Sequence, residues 1–181
     1  MKHLSRLILL AGAVAAGAAL GTAQIERLTL EQMVAKTDNA VIAEITGSRV
    51  FRVDHPVDGP ELYYTTLTLA GTSLADGKPI TVDVTFPGGF ISDTEGVHNS
   101  EAPSADDIRV GNQIVAFYRW TNNMGGDVAA NALYASHGGL FRTVAGPTGT
   151  VVLGRGEGYA VDTNKSLGSL KKAVQSLVEK R

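Results

Sequence analysis

The chain has 181 residues, 16 basic against 18 acidic side chains, a formal charge of −2 and no cysteine. That length suits one domain with its own core. Without cysteine, disulfide staples, thiolate zinc sites, iron–sulfur ligation and a cysteine nucleophile are excluded, and a mildly acidic chain without a basic run argues against nucleic acid and anionic membrane surfaces as partners.

Lys2 and Arg6 precede an apolar run, residues 7–20, and the small residues Gly21 and Ala23 follow it. This is the pattern of a secretory signal peptide cut after Ala23. The run falls short of the roughly 20 residues that span a bilayer. The expectation is an exported protein, periplasmic or extracellular, with residues 1–23 as signal peptide and residues 24–181 as a single domain. No stable membrane span would remain after cleavage. Loss of 23 residues from 181 leaves 158, and loss of Lys2 and Arg6 moves the formal charge from −2 to −4.

The domain opens with a short helix over residues 28–39. Thr29 and Gln32 have capping-box spacing, and Leu30, Met33 and Val34 share one helical face. Val41, Ala43 and Ile45 then alternate with polar residues as a strand, which Gly47 and Ser48 bend or bulge. Residues 55–60, HPVDGP, form a turn. A second strand carries Leu67 and Leu69 between threonines. A third, PITVDVTF, sets Ile80, Val82, Val84 and Phe86 against Thr81, Asp83 and Thr85, the period of a strand with one wet face.

Residues 86–111 break this rhythm. They hold five acids, one histidine and two prolines, and read as a long loop of the kind that carries binding. QIVAFYRW, residues 113–120, follows as a strongly apolar central strand. Residues 131–144 predict a strand bulged at Gly138 and Gly139. VVL and YAV predict a small hairpin about GRGEG, and an amphipathic helix with Leu167, Leu170, Val174, Leu177 and Val178 on one side closes the chain. Short bulged strands without a βαβ rhythm predict a mainly β (α+β) domain: a small antiparallel OB-like β-barrel with a helix at each end, or alternatively a β-sandwich.

The blocks LTLEQMVAKTDNAVIAEITGS, TLTLAGTSLADGKPITVDVTFPGG, APSADDIRVGNQIVAFYRW and HGGLFRT resemble a group of exported bacterial domains of undetermined function. More distantly the pattern is similar to netrin-like domains, shared with tissue inhibitors of metalloproteases. The resemblance runs from about residue 28 to residue 141 and implies an OB-fold barrel packed by helices. Netrin-like inhibitors act through a disulfide-tied amino-terminal cysteine, which this chain lacks, so no inhibitory residue carries over.

Chemistry-bearing residues are sparse. His55, His98 and His137 have no helical i, i+4 spacing for zinc. Asp93, Glu95, Glu101, Asp106 and Asp107 are oxygen ligands without EF-hand spacing. Asp162, Asn164 and Ser166 begin like such a loop, but Leu167 and Ala173 stand where its glycine and glutamate belong, so residues 162–166 read as a helix cap. GRGEG does not lead into a helix as a phosphate loop must, and no G-x-S-x-G elbow occurs.

The expected function is therefore a non-catalytic binding domain with no cofactor, whose partner is another envelope or extracellular protein. The expected surface joins Tyr118, Trp120, Asn122 and Asn123 to Phe90, Glu95 and His98 on the long loop. The alternative is a metal-assisted hydrolase using His98, His137 and Glu95.

Overall fold

The computed structural model describes residues 26–181; the expected signal peptide lies outside them. Helix α1 (Leu30–Lys36) starts as its sequence dictates. Thr29 Oγ1 accepts the Gln32 N–H at 3.3 Å and Gln32 Oε1 accepts the Thr29 N–H at 3.0 Å. Strands β1 (Asn39–His55) and β2 (Gly59–Ser73) form a long hairpin, followed by β3 (Pro79–Pro87). Residues 89–97 then carry a small hairpin, β4 (Gly89–Ser92) and β5 (Glu95–Val97). After β6 (Gln113–Thr121) come β7 (Ala130–Leu133), a 3-10 helix (Ser136–Gly139), β8 (Leu140–Gly146), β9 (Gly149–Val152), β10 (Lys165–Ser166) and α2 (Leu167–Glu179).

Five strands close a barrel in the order β1–β2–β3–β7–β6, with β6 returning to β1. Closure removes the open edges that a sandwich would leave. The neighbours are antiparallel except β3 and β7, which pair in parallel at Val84↔Asn131 and Thr85↔Ala132. The expected bulge is present: β1 shifts register on β2 between Ile45 and Gly47. Among the described residues no helix is long and apolar enough to cross a membrane.

β6 is apolar from Ile114 to Tyr118, where both its faces are buried. Ile114, Ala116 and Tyr118 pack inside the barrel with Val41, Ala43, Ile45, Leu67, Leu69, Val84 and Phe86. Val115 and Phe117 face the other way, into a second core with Met33, Val34, Phe141, Leu170 and Val174. That layer glues α1 and α2 to the barrel wall. Phe117 and Phe141 meet edge to face at 6.1 Å, the preferred arrangement for buried rings.

Three expectations are revised. Residues 131–144 are not one strand with a simple bulge. β7 and β8 lie along the same edge of β6, with Leu133 opposite Tyr118 and Leu140 opposite Ala116. Residues 134–139 are looped out opposite Phe117 alone. Ala135 and Ser136 turn the chain through the left-handed region, each at φ 52°, and Gly139 lies where a Cβ would stand 2.1 Å from the Tyr134 carbonyl oxygen. VVL does not pair with YAV: it forms β9 on β8, while Ala160 and Val161 bury themselves in the helix-side core. The long stretch, expected as a loop, contains the β4–β5 hairpin and a series of closed turns.

Candidate functional site

The segment after β3 folds back over the mouth of the barrel. The Gly88 N–H donates to the Tyr63 carbonyl at 2.7 Å, and the buried Thr65 hydroxyl donates to the Gly88 carbonyl at 2.6 Å. Gly89 sits at φ +133°, where a Cβ would stand 2.3 Å from Thr65 Oγ1. Only glycine lets the hairpin lie this close to the β1–β2 arm. Arg52 ties down the far side: its guanidinium lies 3.0 Å from Asp54, 3.5 Å from Glu61 and 3.8 Å from Glu95. The Glu61 N–H, and after it Arg52, hold the Asp54 carboxyl below its usual range.

The other end of the segment is clamped by the looped-out residues between β7 and β8. The His137 N–H donates to the Glu101 carbonyl at 3.0 Å, and Ser136 Oγ donates to Glu101 Oε2 at 3.3 Å. Asp107 faces Arg155 at 3.3 Å and Arg142 at 3.7 Å. Arg155 in turn donates from Nε to the Leu140 carbonyl at 2.8 Å. Asn112 closes the turn with Nδ2 donating to the Asp106 carbonyl at 2.7 Å.

Between segment and barrel lies a cleft of about 780 Å³, within the usual range for ligand sites. Val50, Phe86, Phe90, Val97 and Ile108 supply apolar walls; His98, His137, Asp107 and Arg155 supply polar lining. Phe90, Ile91 and Val97 on the hairpin are 52%, 47% and 45% exposed.

His98 and His137 thus line one cleft. Glu95 is drawn away toward Arg52 and Tyr63, whose hydroxyl lies 3.5 Å from its Oε1. His137 Nδ1 is 3.1 Å from the Glu101 carbonyl oxygen, so this nitrogen carries the proton of the neutral ring. Among the described residues no group of three His, Asp or Glu side chains is spaced to hold a metal ion. The acids of the segment are dispersed: Asp106 pairs with Arg109, Asp107 with two arginines, Glu101 with Ser136. Residues 162–166 act as a cap, with Ser166 Oγ accepting the Ser169 N–H at 3.1 Å.

The two halves of the expected binding surface are not together. The cleft uses Ser48, Val50, Thr65 and Phe86, whereas Trp120 shares a second, smaller cleft with Arg49, Phe51, Thr66 and Thr85. These residues alternate along β1, β2 and β3, so the clefts occupy opposite faces of those strands. Tyr118 is itself buried in the barrel, and burial pushes its hydroxyl pKa up. Trp120 is half exposed because the β1–β6 ladder ends at Asn39↔Tyr118. Asn122 accepts the indole N–H at 3.1 Å; Asn123 accepts the Gly125 N–H at 2.6 Å.

Thr65 and Arg155 shape the cleft without any mark in the sequence. Arg155 lies in a glycine-rich turn and meets Asp107 across 48 residues. Comparison of the chain with protein-family models, curated proteins and solved structures gives no match.

Proposed function

We propose that the chain is an exported, non-catalytic binding domain that engages another envelope or extracellular protein through the cleft under residues 88–112. One observation carries this reading. Three large apolar side chains, Phe90, Ile91 and Val97, are exposed on one hairpin, and two of them, Phe90 and Val97, line the cleft of about 780 Å³. Grouped exposed apolar side chains of this kind mark interaction sites. The cleft offers a receptor for an apolar side chain of the partner, and the polar lining offers hydrogen bonds around it. His98 and His137 share the cleft, but Glu95 turns away to Arg52 and no group of three His, Asp or Glu is spaced to hold a metal among the described residues, which favours binding over metal-assisted hydrolysis. The netrin-like resemblance belongs to this reading as a likeness of barrel, without the cysteine device of the inhibitors.

The test places a photoreactive amino acid at Phe90, or at the exposed Thr148 as control, in the full chain expressed in its host. One specific protein adduct from position 90, absent from position 148, is expected. A processed amino terminus at Gln24 in the envelope fraction is expected with it. Identical adducts from both positions overturn the binding reading, as does hydrolytic turnover by the purified chain that is lost in His137→Ala.

A further inference from the structure

Trp120 is the chain's single tryptophan, and it is 52% exposed. It is nevertheless held. Its backbone N–H donates to Asp38 Oδ2 at 2.7 Å, and its indole N–H donates to Asn122 Oδ1 at 3.1 Å. An exposed aromatic ring pinned at both backbone and edge offers a preorganised stacking surface.

The ring lines a cleft of about 200 Å³ whose other walls include Arg49, Asp83 and Asn131. Their hydrogen-bonding capacity is largely unspent. Arg49 lies 5.7 Å over the Phe51 ring and forms no ion pair among the described residues. Asp83 Oδ1 accepts from Thr68 at 2.7 Å, which leaves Oδ2 without a protein partner among them. Asn131 Nδ2 donates to the Asp83 carbonyl at 3.1 Å, which leaves its Oδ1 in the same state. Thr66 and Thr85 bond each other at 2.9 Å on the floor.

An aromatic plate, one guanidinium, one carboxylate and one amide on a small cleft suit a particular chemistry. A pyranose ring presents C–H bonds on its face and hydroxyls around its rim. The C–H face meets the negative face of the indole. Vicinal hydroxyls accept from Arg49 and donate to Asp83 or Asn131. The single arginine is matched by Asp83, so the cleft has no net charge to attract a polyanion. Phe51 and Val128 add apolar wall beside Trp120, but a wholly apolar side chain would leave Arg49, Asp83 and Asn131 without partners from the ligand. We infer that the Trp120 cleft binds a neutral glycan, with one pyranose ring stacked on the indole. This site is separate from the cleft proposed for the protein partner.

The lone tryptophan makes the site self-reporting. The full purified chain is titrated with cellohexaose, chitohexaose and maltohexaose while indole emission is followed. A saturable change with at least one of them, in the millimolar range or below, is expected. By calorimetry, Arg49→Ala and Trp120→Ala weaken that glycan about tenfold or more. Trp120→Phe retains part of the affinity, and Phe90→Ala leaves it unchanged. The inference is overturned if no neutral glycan gives a saturable change. A response to a single-stranded oligonucleotide or an apolar peptide in place of the glycans also overturns it. So does glycan affinity that survives both alanine substitutions in chains of native circular dichroism.

Discussion

His55 Nε2 stands 3.2 Å from Asp127 Oδ2, across 72 residues of chain, and this contact joins the β1–β2 turn to the loop between β6 and β7. His55 Nδ1 accepts the N–H groups of Val57 and Asp58 at 3.3 and 3.0 Å, which leaves Nε2 to carry the proton of the neutral ring and donate it. Nearby, Asp58 Oδ2 accepts the Gly126 N–H at 2.7 Å and Tyr64 donates to the Gly125 carbonyl at 3.0 Å. Two turns that neither strand pairing nor the core would hold are thereby locked to each other.

His55→Ala removes an acceptor and a donor at once and is expected to destabilise by about 1–2 kcal/mol. Asp127→Asn keeps an acceptor and changes stability by less than about 0.5 kcal/mol, since the carboxylate is exposed. Urea unfolding of both variants checks the ordering. Equal losses would mean that the His55 turn contacts contribute nothing.

The hairpin over the cleft depends on close approach at Gly89 and on the Thr65 hydroxyl. Gly89→Ala is expected to cost about 1–3 kcal/mol. Thr65→Val leaves the Gly88 carbonyl without its buried donor and costs about 1–3 kcal/mol. Both should raise hydrogen exchange in residues 89–97 more than in β6, because the hairpin opens before the barrel does. Uniform loss of protection throughout the chain would contradict a locally hinged segment.

Arg181 spans the two helices. It donates to the Thr37 carbonyl and to the Ala35 carbonyl, each at 3.0 Å, at the end of α1 where carbonyls lack helical partners. Arg181→Ala is expected to lower stability by about 1 kcal/mol, and Arg181→Lys to restore less than half of that, because the forked guanidinium serves two acceptors. Thermal melts of the three chains decide it; full rescue by lysine would leave only a charge effect.

Asp76 gives the fold an acid-sensitive turn. The Lys78 N–H, then the Lys78 ammonium and the Ser73 hydroxyl, lower its carboxyl from the ordinary 3.8 to about 2. A depressed folded value means that the contribution is fully present above about pH 4. It is lost as pH falls from about 4 to about 2. Asp76→Asn should have a lower urea midpoint than the native chain near neutrality, and the two midpoints should converge as pH falls through that window. Because the carboxylate is exposed, salt should shrink the difference. Parallel acid profiles for the two chains would rule this role out.

Several elements were legible from local order. Thr29 and Gln32 announced α1, alternation announced β3, and Gly47 announced the bend in β1. These depend on side chains a few residues apart, and neighbours in sequence carry that signal. The two-sided burial of β6 was legible too, as an unbroken apolar run.

What the chain order did not reveal is relational. That residues 134–139 swing out opposite Phe117 depends on β7 and β8 sharing one edge of β6. That His137 and His98 line one cleft while Glu95 turns to Arg52 depends on where that excursion and the β4–β5 hairpin land. The separation of Trp120 from Phe90 follows from alternation along strands distant from both. Sequence alone determined the regular strands β1, β2, β3 and β6, the helix caps and the absence of cysteine chemistry, because these are properties of residues and their near neighbours. Only barrel closure decided which distant side chains share a surface, because closure sets the register between strands that the chain visits far apart.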